Sequence, residues 1–100
     1  METVGARIRI DKWLWHARIT KSRSLAAKLV ETGHIRVNHR KIAKPAQEVG
    51  PGDVITLAVH DTIRVLRVTA PGTRRGPAPE ARQLFEEIVS PQPSHAAPQN

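Results

Sequence analysis

Between residues 7 and 44 the chain sets eleven lysines and arginines against two acids, a net charge of +9 on a short stretch. Residues 1–6 contribute −1 and residues 45–100, with five basic and six acidic side chains, another −1, which leaves +7 for the whole chain of 100 residues. A field this one-sided draws polyanions, nucleic acid first and an anionic membrane surface second. Two clusters carry it. Lys12, Arg18, Lys21, Arg23 and Lys28, with Ser22 among them, bracket a joint between two helical patterns, and Asn38, His39, Arg40, Lys41 and Lys44 crowd a turn. Arginine's planar fork suits bidentate contact with phosphate, lysine acts as a point charge, and the backbone N–H groups at Ser22, where a helix begins, can face an anion. A face built of i,i+4 salt bridges would need acids that this stretch lacks. One cluster on helices and one on a turn suit a structured RNA, whose phosphates run along adjacent ridges while its deep major groove excludes side chains.

Other chemistry is excluded by what is missing. The chain has no cysteine, hence no disulfide framework, thiolate zinc site or cysteine nucleophile. Its histidines, His16, His34, His39, His60 and His95, never stand at a ligand spacing beside carboxylates, so no metal is expected, and they read as solvated or turn residues. Glu86 and Glu87 adjoin and would point apart on a helix, Ser22 has no His/Asp relay in sequence, and there is no Gly-rich phosphate loop with its lysine; neither an enzyme nor a cofactor is expected. One hundred residues suffice for one modest core. No apolar run approaches the roughly 20 residues that cross a bilayer, and METVGARIRIDK has no apolar signal core, which predicts a soluble cytoplasmic chain.

The elements that must position these cations follow from periodicity. Asp11 is a candidate cap for a first helix to about Thr20, with Ile10, Trp13, Leu14 and Ala17 on its packing face and Lys12, Trp15, His16 and Ile19 opposite. Trp13 belongs to the core on this count, and Trp15 is divided between core edge, base stacking and packing under a later helix. Ser22 is a good N-cap for a second helix from Arg23 to Thr32, ended by Gly33. Thereafter the period drops to two: Ile35 and Val37 alternate with His34 and Arg36, a turn follows at 38–41, and strands are expected at 54–59 and 63–68. The apolar stripe Ala81, Leu84, Phe85, Ile88 predicts a C-terminal helix over 79–89, too short to stand undocked, with Pro79 in its first turn. The segment 69–78 reads as a linker in which Arg74 and Arg75 steer electrostatically or are simply basic, and 90–100, with three prolines, as disordered. The result is an α+β fold: a helix pair packed on a small, mostly antiparallel sheet over 7–68, with a C-terminal helix.

A series of residues in order across about 8–56 carries a resemblance. Arg9-Ile10-Asp11, Leu14 and Arg18, Ser22-Arg23, Ala26, Gly33, Val37-Asn38, Lys44-Pro45 and Gly52-Asp53 together resemble the RNA-binding domain named after small-subunit ribosomal protein S4. The resemblance implies that domain's fold and RNA binding, and adds Arg9 to the contacts, against the structural alternative of an ion pair with Asp11 or Asp53. The tail PGTRRGPAPEARQLFEEI is similar to that of a short, stress-linked, ribosome-associated form within the family. That similarity implies ribosomal RNA of the large subunit and a retained peptidyl-tRNA as partners in rescue or recycling, with a monomer and no membrane partner expected. Where the family commonly has Asn-Gly this chain has Asn38-His39, and a non-glycine residue at positive φ predicts a wider or strained turn. Two short helices at a tight joint also describe a DNA-binding helix–turn–helix regulator, and a permanent structural or assembly protein of the ribosome is the third reading.

Overall fold

The structure, a computed structural model, describes residues 6–59 and 61–93. Apolar alternation in the second half builds its centre: β5 (Val54–Val59) and β6 (Thr62–Val68) pair antiparallel from Val54↔Arg67 to Val59↔Thr62 and bury Ile55, Leu57, Leu66 and Val68. β2 (Ile35–Val37) pairs with β5 on its other side, and β3 (Arg40–Lys41) forms the edge. A short ribbon lies apart from this sheet, β1 (Ile8–Arg9) against β4 (Glu48–Val49). The helices α1 (Ile10–His16) and α2 (Arg23–Glu31) pack on the sheet through Ile10, Trp13, Leu14, Ala17, Ala26 and Val30. The α+β class and the mostly antiparallel sheet are those read from the sequence.

α2 starts and stops where its sequence says. Ser22 Oγ accepts the Leu25 N–H at 3.0 Å, and Gly33 takes φ +83° just past the helix, where an L-residue's Cβ would also press on the Lys41 side chain at 3.2 Å. α1 is shorter than expected. It ends at His16 instead of Thr20, because Arg18 turns left-handed at φ +60° and the Ile19 and Thr20 N–H groups fold back onto the Leu14 carbonyl. Its N-cap is Arg9, without a side-chain bond, and Asp11 lies inside the first turn. His16 corrects another expectation: it is buried, with Nδ1 3.3 Å from the Pro71 carbonyl oxygen. His60 and His95 lie outside the described residues.

The hairpin turn is tight. Val37 pairs directly with Arg40, and Asn38 and His39 occupy the two turn positions at φ +51° and +72°. Asn38 is held there by its own amide, which donates to Asp53 Oδ1 at 3.0 Å and accepts the Val54 N–H at 2.9 Å. The strain expected of a missing glycine therefore falls on His39, with no widening of the loop.

The C-terminal helix over 79–89 is the largest correction. Only Ala78–Ala81 (α3) is α-helical; a 3-10 turn follows at Arg82–Leu84, and Phe85–Pro93 is strand β7 on the far edge of β6, giving the order β3-β2-β5-β6-β7. Four apolar residues at helical spacing cannot offset nucleation. The open edge of β6 instead offers ladder pairing to the aromatic Phe85 and the β-branched Val89, with Ile88 at a register shift between Val89 and Glu87. Ser90 to Pro93, expected to be disordered, are the end of that strand, and 94–100 lie outside the described residues. Ala81 and Leu84 are buried; Leu84 fits against Gly72, whose φ of +74° and lack of a Cβ let it approach.

Candidate nucleic-acid interface

The candidate interface lies where α1, α2 and the loop after the hairpin meet. Asp11 is its hub. The side chain is 4% exposed, and Arg9 grips it through Nε to Oδ1 at 3.1 Å and a terminal nitrogen to Oδ2 at 2.9 Å. Arg23, the first residue of α2, brings its Nε within 3.6 Å of the same Oδ2. The Asp11 N–H donates to the Pro45 carbonyl at 3.3 Å, which ties in the loop carrying Lys44, and the Lys44 carbonyl accepts from Gln47 N at 3.0 Å. Both arginines remain nearly half exposed, 46% and 43%, so their outer edges face solvent.

Around this hub the remaining cations divide. Lys12 on α1, Lys21 at the joint, Lys28 on α2, Arg40 and Lys41 on β3, and Lys44 are all exposed, and no ion pair engages them among the described residues. Lys41 lies beside Gly33 at the C-terminal end of α2, where the helix dipole favours a positive charge. Ser22 contributes position, since its hydroxyl is spent on the cap. Two residues are drawn into the structure. Arg18 is exposed but donates from Nε to the Gly76 carbonyl, and Asn38 is committed to Asp53 and Val54.

Arg9 and Arg23 thus meet at one hub, with Lys12, Ser22 and Lys44 next in sequence to residues that form or touch it, while Arg18 and Asn38 reach other partners. Arg7 was missed. It donates to the Glu48 carbonyl at 2.9 Å, lies 3.8 Å from the Glu48 and Asp53 carboxylates, and with them, Asn38, Arg40 and Gln47 lines a cleft of about 350 Å³ beside the hairpin. Asp11 as a hub was missed too, although a signal existed: it is one of two acids in the whole basic stretch.

The segment 69–78 packs along α1. Trp13, fully buried as expected, donates its indole N–H to the Ala70 carbonyl at 3.0 Å and meets Phe85 edge-on at 6.4 Å. Arg75 reaches the Thr20 carbonyl at 3.4 Å, and Arg74 binds Glu80 through two contacts of 2.6 and 3.0 Å. Trp15 is half-buried and tilts against the His16 ring at 5.7 Å.

Comparison with known proteins joins the residues to a family. The S4 domain profile matches residues 8–55. Heat shock protein 15 of Escherichia coli is 37% identical over 88 residues, 88% of this chain and 65% of that protein. The small ribosomal subunit protein uS4 of Thermosipho africanus is 39% identical over 49 residues, 49% of this chain and 23% of that one. Among solved structures, the heat shock protein 15 of Vibrio cholerae, described as trimeric, superposes with a TM-score of 0.76 at 41% identity over 84% of each chain. The chain spans slightly less than two thirds of the length of the Escherichia coli relative.

Proposed function

The chain belongs to the heat shock protein 15 group of S4-domain proteins, and from that premise we propose that it is a non-enzymatic RNA-binding protein of the ribosome. Its target on this reading is ribosomal RNA of the large subunit, in rescue or recycling of subunits that retain peptidyl-tRNA. The observation that carries RNA binding is the row of exposed lysines and arginines on α1, the joint, α2 and β3, with no carboxylate partner among the described residues. Cations left without a carboxylate, in a fold that pairs Arg64, Arg67 and Arg74 with glutamates, are available to phosphates. The family resemblance of the tail supports the large-subunit and peptidyl-tRNA assignment, and the relatives' names support the link to ribosomes and heat shock.

Gradient sedimentation tests the reading directly. The chain is expected with free large subunits, most strongly those carrying peptidyl-tRNA, and at less than one copy per ribosome. Equal occupancy of every ribosome would instead mark a permanent structural protein. On isolated RNA hairpins, engagement of about five to eight phosphates predicts that log K falls with log salt by several units, at roughly 0.7–0.9 for each phosphate engaged. A slope near −1, or equal affinity for duplex DNA of the same length, would sink the reading in favour of non-specific or DNA binding.

A further inference from the structure

We propose that Asp11 is a positioning residue for RNA: it holds Arg9 and Arg23 as one two-guanidinium seat for a phosphate, so that binding depends on an acid kept inside the basic face. The inference rests on the RNA-binding reading above and deepens it.

The geometry is asymmetric in a way that a simple ion pair does not require. The carboxylate is almost wholly buried while both cations keep nearly half their surface in solvent. A buried carboxylate must be paired to be tolerated, which explains one arginine. Arg9 alone satisfies both oxygens with two hydrogen bonds, yet Arg23 is drawn to Oδ2 as well. Since 2.9 and 3.6 Å separate the two arginine nitrogens from that one oxygen, they lie within about 6.5 Å of each other, close enough for one phosphate group to contact both side chains. Arg9 spends two of its five N–H donors on the carboxylate, and the others are left for a ligand.

The two arginines come from different elements, β1 and α2. Arg9 is fixed by the β1–β4 ribbon through its pairing with Glu48, and Arg23 by the capped start of α2. Without a negative charge between them they would repel, and each would sample its many rotamers. Holding them before RNA arrives removes part of the ordering cost of binding. The Asp11 N–H to Pro45 contact brings the Lys44 loop into the same arrangement.

The proposal inverts the usual electrostatic expectation, and Asp11→Asn in the full chain tests it. Deleting an acid from a basic face raises the net charge and by field alone strengthens binding to a polyanion. Positioning predicts the reverse: affinity for a labelled RNA hairpin falls about 5- to 10-fold, and the salt slope drops by the share of one phosphate, roughly 0.7–0.9. Asp11→Glu, which keeps the charge, is expected to recover most of the affinity. Equal or tighter binding by a folded Asp11→Asn chain, with unchanged slope, overturns the proposal while leaving RNA binding intact. Failure of the unsubstituted chain to bind the hairpin removes both. Should Asp11→Asn not fold, the cycle of Arg9→Ala, Arg23→Ala and the double variant decides: a second substitution that costs much less than it does alone supports a shared seat, and additive effects overturn it.

Discussion

Along the β6–β7 edge of the sheet Arg64 binds Glu87 through contacts of 2.8 and 3.0 Å and Arg67 binds Glu86 at 2.9 Å, while Arg74 grips Glu80 beyond the sheet. At the helix and hairpin end Lys12, Lys21, Lys28, Arg40, Lys41 and Lys44 meet no carboxylate among the described residues. The residue types are alike in the two regions, and the difference lies in where acids stand. β7 sets Glu86 directly opposite Arg67 and Glu87 opposite Leu66, within reach of Arg64 two residues along β6, which converts those cations into cross-strand structural pairs. The single buried acid of the other region instead gathers two arginines and leaves both partly free. A positive net charge therefore says little about binding until each cation's partner is known.

Both regions share one core, and the largest expected effect is that it fails as a unit. Trp13→Ala removes a fully buried ring that touches Ala70 and Phe85 from the C-terminal half as well as its own helix layer. The expected destabilisation is about 3–5 kcal/mol in denaturant unfolding, with a single transition for both regions. Separate transitions would mean that the comparison is between two independent units.

Paired substitutions sharpen the contrast. Lys41→Ala with Lys44→Ala is expected to lower the salt slope of RNA binding by roughly 0.7–0.9 for each phosphate no longer engaged, while stability stays within about 0.5 kcal/mol. Arg64→Ala with Arg67→Ala is expected to do the opposite: to leave the slope unchanged and cost up to about 1 kcal/mol for each exposed pair removed. The contrast breaks if the second variant binds RNA as poorly as the first.

A smaller effect is expected at the hairpin. His39 sits at φ +72° without glycine's freedom, so His39→Gly is expected to raise stability by about 0.5–1 kcal/mol in thermal unfolding while keeping the Val37–Arg40 pairing. A drop in melting temperature would show that the His39 side chain supports the turn.

The smallest effect is electrostatic and lies in the paired region. Hydrogen bonds from Arg74 hold the Glu80 carboxyl below its ordinary value. The pair's contribution is accordingly complete above the carboxyl's unfolded pKa and is lost as pH falls through the lower folded one. A carbon-13 titration of Glu80 should therefore show a midpoint below the ordinary glutamate value, moving up to it in Arg74→Ala; because both groups are exposed, the melting temperature should hardly change.

Legibility followed the range of the interactions. The α2 cap at Ser22, the Gly33 stop and the β5 and β6 alternation depend on residues a few positions apart, so their types and spacing announced them. Phe85–Pro93 was illegible because its apolar spacing fits a helix face, and the competing state, pairing with the edge of β6, lies some twenty residues away in sequence. The candidate interface is legible in the sequence only as a collection of cations, and Lys12, Lys21, Lys28, Arg40, Lys41 and Lys44 are exposed. Arg18 and Asn38 depart from it through contacts with Gly76 and Asp53, which no local pattern encodes.

By itself the sequence determined the helix pair, the strand alternation, the S4-type series of residues and the confinement of excess positive charge to residues 7–44, all of which rest on composition and short-range periodicity. Tertiary structure alone decided which cations are spoken for. Whether an arginine ends in a salt bridge or in solvent depends on which acids the folded backbone brings within about 4 Å, and for Arg23 and Asp11, or Arg64 and Glu87, the chain must close a loop of many residues before either group meets the other.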